Sequence, residues 1–121
     1  DSRGLCPVGW HVPSEDEYTV LINYLGGASV ASGKMKEAGT SHWESPNTGA
    51  TNESGFTALP GGNYFDEVFR HKGSTGYFWS STYDINYKDQ ADGWFLDADS
   101  EELSPIRSSR SSYYSIRCIK D

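Results

Sequence analysis

Cationic residues are scarce in this chain, cysteine and methionine are scarcer still, and long apolar runs are missing. Ten Lys and Arg stand against 17 Asp and Glu, for a formal charge of −7. An acidic surface repels phosphate backbones, so nucleic acid is not an expected partner. No stretch approaches the roughly 18 consecutive apolar residues of a membrane span, so direct membrane insertion of this domain is not expected. No basic, apolar leader opens the chain. It begins at Asp1 rather than Met, which leads us to expect a piece of a longer protein. There is no C-x-x-C pair, and His11, His42 and His71 lie far apart, so neither a dithiol nor a zinc site is indicated. No G-x-S-x-G surrounds a serine, which leaves Ser80 and Ser81 as groups that satisfy backbone in a strand. Glu44, Glu53, Asp66 and Glu67 can in principle supply a carboxylate pair for glycoside hydrolysis, but solvated surface acids are the simpler reading. No catalytic residue is therefore assigned and no enzyme is expected.

What the chain does have is aromatic side chains: four Trp, eight Tyr and five Phe. Disordered chains are poor in these, so a folded domain is indicated, and the length suits one core rather than two. The two cysteines, Cys6 and Cys118, sit near opposite ends. They can be free buried thiols, but their placement favours a bridge between the first and last elements. Closing almost the whole chain into one loop stabilises by roughly 4–5 kcal/mol in the chain-entropy model. Such a bridge implies an oxidising compartment, hence an extracellular or bacterial cell-surface location.

The clearest element is a helix. Ser14 and Glu17 form a capping-box pattern after Pro13, and Glu15 and Asp16 place negative charge where the helix dipole favours it. Tyr18, Leu21, Ile22 and Leu25 follow on one face, and Gly26–Gly27 ends the run. Val8, Trp10 and Val12 alternate with Gly9 and His11, which predicts a short strand. A second, shorter helix is expected over 30–38 with Met35 inward, although Gly33 argues against it. Residues 39–63 are rich in Gly, Pro and Asn and read as a long loop, which Phe56 and Leu59 are expected to anchor to the core. Trp10 and Trp79 are assigned to that core. From Tyr77 onward short strands are expected at 77–83, 93–96, 103–106 and 114–119, with Ile116 and Cys118 on one face of the last. The fold class is α+β: one or two N-terminal helices on a twisted antiparallel sheet, with both termini in neighbouring strands.

Four blocks carry a resemblance. C-P-V-G-W-H-V-P-S-E-D-E-Y at 6–18, A-T-N-E-S-G-F-T-A-L-P-G-G at 50–62, G-Y-F-W-S-S-T at 76–82 and S-I-R-C-I-K-D at 115–121 resemble the Fibrobacter succinogenes major paralogous domain family. The resemblance implies a secreted or surface-anchored bacterial protein, lipoproteins included, in which this single domain spans residues 1–121. That family in turn looks like the C-type-lectin and formylglycine-generating-enzyme group of folds, whose P-x-x-x-E-[WY] helix motif is matched by Pro13, Glu17 and Tyr18. The activities of that group are not implied. The late pair of reactive cysteines is missing, Glu44-Ser45-Pro46-Asn47 only loosely echoes a lectin sugar triplet, and no W-N-D occurs.

Asp97, Asp99 and Glu101 match the first, third and fifth positions of an EF-hand calcium loop. Glu102 replaces the required Gly and Ser108 the closing Glu, so that reading fails, and only a looser calcium site among loop oxygens stays open. The main functional candidate is the polar, aromatic segment from Tyr83 to Tyr114. Its expected ligand-binding residues are Tyr83, Asp84, Asn86, Tyr87, Trp94, Asp97, Arg107, Arg110 and Tyr113. Tyr and Trp offer large contact area at low entropy cost, and their faces beside Asn, Asp and Arg suit sugars or a protein surface. The expected function is a non-catalytic recognition or adhesion module for a glycan or protein ligand. The rival expectation is a structural cap or spacer with no ligand of its own.

Overall fold

The structure is a computed structural model that describes residues 5–87 and 89–121. The chain runs β1 (Trp10–His11), α1 (Glu15–Tyr24), α2 (Ala28–Met35), β2 (Asn63–Phe65), β3 (Val68–Arg70), β4 (Thr75–Trp79), β5 (Gln90–Asp97), β6 (Ser104–Ser109) and β7 (Ile119–Lys120). Every strand pair is antiparallel: β1 with β7, β2 with β3, and a three-stranded sheet in the order β4-β5-β6. The α+β expectation and the adjacency of the two termini hold. Cys6 and Cys118 are bonded, with Cα atoms 5.9 Å apart.

Helix α1 forms where the capping box predicts it. The Ser14 hydroxyl accepts from the Glu17 N–H, and the Glu17 carboxylate accepts from the Ser14 N–H. At the other end Gly27 N–H donates to Ile22 O and Gly26 N–H to Asn23 O, a Schellman closure that needs the positive φ of Gly26. Tyr18, Ile22 and Leu25 enter the core, with Leu21 against its edge. Strand register brings Phe78 opposite Trp94 and Gly76 opposite Leu96, and Tyr18 meets Trp94 at 6.5 Å between ring centroids. That contact seats α1 on the sheet.

Helix α2 starts and stops earlier than predicted. Its Gly33 is a requirement rather than a weakness: a Cβ there would stand 2.5 Å from the Gly49 carbonyl oxygen. The long loop packs this closely because it uses the orphan carbonyls at the α2 C-terminus. Thr51, Ser54 and Ala58 N–H groups donate to Gly33, Lys34 and Met35 oxygens. Trp43 is buried from within this loop and donates from Nε1 to Ala58 O at 2.9 Å. Asn52 accepts from Thr57 N–H at 2.8 Å, the local backbone role its type suggests. Phe56 packs edge-on against Phe78, but Leu59 is exposed and is not an anchor.

Three further expectations are corrected. Trp10 is 43% exposed and lies outside the core, because the positive φ of Gly9 interrupts the extended run that would have placed Val8, Trp10 and Val12 on one face. The strand expected at 77–83 stops at Trp79, where Ser80 turns its hydroxyl onto Asp92 O and accepts from Thr82 N–H. The strand expected at 114–119 is reduced to β7. The chain here serves different partners in turn: Tyr113, just before that span, exchanges backbone hydrogen bonds with Tyr64, Ser115 with Tyr77 and Trp79, and Ile119 pairs with His11. A run shared among three sheets cannot keep one ladder. The β2–β3 hairpin had no sequence expectation at all.

His11 ties both ends of this scaffold together. Its Nδ1 lies 2.6 Å from Asp121 and its Nε2 2.8 Å from Glu17. The hydrogen bond to Asp121, then that to Glu17, raises the imidazole pKa above its ordinary 6.5. A folded value above the unfolded one means the clamp stabilises fully below about pH 6.5 and is lost as pH rises through the raised value. Melting temperature followed from about pH 5 to 8 is therefore expected to fall across that window in the wild type and to flatten in His11→Gln. Equal slopes for the two proteins would show that the clamp carries no net stability.

Candidate functional site

The sheet alternation that buries Phe78 turns Tyr77 and Trp79 to the opposite face of β4. Tyr114 stacks across both, at 4.8 Å from Tyr77 and 4.1 Å from Trp79 between ring centroids. Burial, followed by the neighbouring Tyr114 and Asp97, pushes the Tyr77 phenol pKa up. Beyond Trp79 the chain turns away, held where Ser81 N–H donates to Pro13 O and the Thr82 hydroxyl caps Glu15 N–H. Between this turn and the 110–116 segment lies a cleft of about 530 Å³.

Three of the expected contact residues converge on that cleft: Tyr83, Arg110 and Tyr113. Arg110 lies over the Tyr83 ring at 4.5 Å, and its Nε donates to Gln90 O at 3.1 Å. The guanidinium is thus fixed in position while its remaining N–H groups stay available. Tyr113 is 68% exposed, and its ring packs edge-on against Tyr64. Hydroxyls of Ser80, Ser81, Thr82 and Ser112 complete the polar lining. Among the described residues no carboxylate, imidazole or thiol lines the cleft, and Arg110 is the single charged group.

Four more expected residues form a shoulder beside it. Asp84 accepts from Asn86 N–H at 2.9 Å, and Tyr87 N–H donates to Asp84 O at 2.9 Å, which makes a tight turn with Asn86 and Tyr87 exposed on it. Arg107 lies over the Tyr87 ring at 5.6 Å and binds Asp92 at 2.7 Å, with Asp84 at 3.8 Å. Asp92 is the main cause of its raised pKa. A smaller hollow of about 420 Å³ opens here between Glu15, Asp92 and Arg107. Burial, and then the charge of Asp92, raises the Glu15 pKa. Arg107 is already engaged by its own carboxylates, so the shoulder shapes the cleft more than it offers charge.

The last two expected residues are elsewhere. Trp94 belongs to the core, so its assignment as a ligand contact is corrected: its ring faces inward on β5 beside Leu96. Asp97 accepts from the Thr75 hydroxyl at 2.9 Å at the far end of the same strand. The Asp97–Glu101 stretch helps to wrap a side-chain cation. The Lys36 ammonium, 0% exposed, donates at 2.9 Å to each of the Thr48, Asp97 and Ser100 carbonyls. Burial lowers its pKa, while the charges of Asp97, Asp99 and Glu101 push it back up. Among the described residues no group of three or more His, Cys, Asp or Glu side chains gathers as a metal site.

Trp79, assigned to the core from the sequence, faces the cleft instead, and Tyr114, which closes the candidate segment without being among the expected contacts, lines the cleft with it. The signal was present: Y-F-W in a strand places its first and third residues on one face and its middle residue on the other, and Phe78 is the member that enters the core.

No curated protein and no solved structure matches the chain. A family model does, over residues 1–120, and the chain belongs to the Fibrobacter succinogenes major domain family.

Proposed function

We propose that the domain is a non-catalytic recognition module on a secreted or surface-exposed bacterial protein, and that the cleft between β4 and the 110–116 segment binds a glycan. The supporting observation is the convergence of Trp79, Tyr83, Tyr113 and Tyr114 around one preset guanidinium in an otherwise acidic protein. Aromatic faces suit the C–H faces of sugars, and the surrounding hydroxyls suit theirs. The lone cation makes an acidic saccharide a better fit than a basic ligand. A lining that, among the described residues, holds no carboxylate, imidazole or thiol supports binding over chemistry. The Cys6–Cys118 bond supports the oxidising compartment, and the lectin-like fold remains part of the proposal.

The test is an oligosaccharide array, neutral and uronate- or sialate-bearing, read with calcium and with chelator. Binding to acidic glycans in both conditions is expected. Tyr83→Ala, Arg110→Gln and Tyr113→Ala should each weaken it by about 1–2 kcal/mol, a factor of roughly 5–30. Trp94 variants are excluded from that series because they damage the core. Silence across the array sinks the glycan reading and leaves the spacer as the better account, while glycan binding that all three variants leave intact rules out the cleft as its site.

A further inference from the structure

A second concavity lies on the other side of α1, apart from the cleft. It encloses about 670 Å³ between α1, the paired β1 and β7 strands and the 54–56 loop. Its walls include Trp10, Val20, Tyr24 and Phe56, and Arg117 and Lys120 stand on it. Val20 is 71% exposed, which is unusual for a valine on a helix whose opposite face fills the core. Arg117 lies over Phe56 at 4.6 Å and donates to Phe56 O at 2.8 Å. Among the described residues neither Arg117 nor Lys120 pairs with a carboxylate. The one acid lining the groove, Glu17, is taken by His11 and by the helix cap. The groove is therefore apolar with a net positive rim, on a chain of charge −7.

The β2–β3 hairpin has the opposite character. Phe65, Val68 and Phe69 are exposed on it, Phe69 at 80%. Its two-residue turn is Asp66–Glu67, with φ of 52° and 62°. Positive φ at both turn positions is the geometry that favours Asn-Gly, and Glu adopts it reluctantly. The hairpin therefore presents two carboxylates at its tip where a more accommodating turn was available. Among the described residues neither pairs with a cation. Beyond Tyr64 the ribbon's apolar surface has little of its own chain to cover it: Phe69 touches Tyr64 at 4.6 Å between centroids and is otherwise open. None of these tip residues lines the groove.

The geometry points to head-to-tail self-association, in which the acidic, apolar hairpin tip of one copy enters the basic-rimmed apolar groove of the next. Phe65, Val68 and Phe69 meet Trp10, Val20 and Tyr24, while Asp66 and Glu67 meet Arg117 and Lys120. A contact between two different patches is heterologous, so each bound copy still offers one free tip and one free groove. The surface involved is small. Two phenylalanines supply about 150–250 Å² each, well below the roughly 800 Å² per partner of a standard interface. The dissociation constant should accordingly lie in the high-micromolar to millimolar range, becoming effective where many copies are held close together at a surface. This inference does not depend on the glycan cleft, which uses other residues.

The experiment is sedimentation equilibrium of the wild-type domain over increasing concentration, with two surface variants. Phe69→Glu blocks the tip and Val20→Glu blocks the groove, and both replace exposed side chains, so folding is retained. Wild-type weight-average mass should rise past that of a dimer. Each variant alone should associate at least about tenfold more weakly. An equimolar mixture has one good tip and one good groove between two molecules, so it should form a dimer and stop there. A monomeric wild type, association that either single variant leaves unchanged, or a mixture that stays monomeric overturns the proposal.

Discussion

Lys36→Met should be the most damaging single substitution outside the apolar core, lowering stability by about 3–5 kcal/mol. Methionine fits the volume and is comfortable in an interior, so the loss isolates the ammonium. That group holds three backbone carbonyls from two separate stretches, Thr48 on the long loop, and Asp97 at the end of β5 with Ser100 just beyond it. Two effects compete. Removing a buried cation relieves its desolvation, which favours the variant by several kcal/mol. Against this, three buried acceptors lose their donor, at about 1–3 kcal/mol each, and Asp97, Asp99 and Glu101 lose the charge that offsets their mutual repulsion. The second set wins because the carbonyls belong to backbone that is already committed. Thr48 N–H is bound to Ala98 O, and Ala98 N–H to Ser74 O, so neither strand of the contact can swing out to water. Thermal unfolding should show a drop of roughly 10–20 °C. A variant that melts within a few degrees of wild type would show that the carbonyls find other donors, and the ammonium would then be a tolerated passenger.

The same lysine shows where sequence reading stops. Helix α1 was legible because its signals are local: capping box, one apolar stripe and a double glycine all fall within 14 consecutive residues of each other, Ser14 to Gly27. The core of strand β5, expected at 93–96 though the strand extends further, over Gln90–Asp97, and the pairing of the termini, expected from cysteine placement, were legible. Lys36 was not, because nothing in its neighbourhood says that an amine will be enclosed by carbonyls far along the chain. Charged residues are normally surface residues, and the exception is created by tertiary packing. Gly33 misled for a related reason. Local propensity counts it against a helix, but the approach of Gly49 from outside the helix makes it necessary.

The cleft was partly legible. Composition pointed to the stretch from Tyr83 onward, and Tyr83, Arg110 and Tyr113 do come together. Composition could not separate inward from outward residues, however. Trp94 and Trp79 are equally aromatic and both lie in strands, yet registry with Phe78 and Leu96 turns Trp94 to the helices while Trp79 faces Tyr114. Alternation within Y-F-W held that information once the buried member was known. The hairpin at 63–70 escaped notice because Asp-Glu is a poor signal for a two-residue turn, and that mismatch is itself what draws attention to its tip.

Removing the Cys6–Cys118 bond is expected to have an effect of similar size to Lys36→Met, with a different signature. The bond spans 112 residues, and the chain-entropy model assigns a loop of about that length some 4.7 kcal/mol. Most of this acts on the unfolded chain, so the double variant Cys6→Ser/Cys118→Ser should unfold at far lower denaturant while its folded contacts survive. The elements it joins would be weak alone: β1 and β7 are two residues each, and His11 adds only a partly exposed clamp to Asp121 and Glu17. Local opening should therefore accompany global destabilisation. Amide exchange of His11, Ile119 and Asp121 should approach that of unprotected backbone in the variant, while Leu96 in the central strand stays protected in proportion to the remaining stability. The combination tells the two mechanisms apart. If the loss were native strain or packing at Cys6, exchange would rise throughout the core by the same factor and the terminal strands would not lead. If the midpoint in urea barely moved, the terminal pair would be held by its own hydrogen bonds, and the disulfide would guard against proteolysis or shear rather than set the equilibrium.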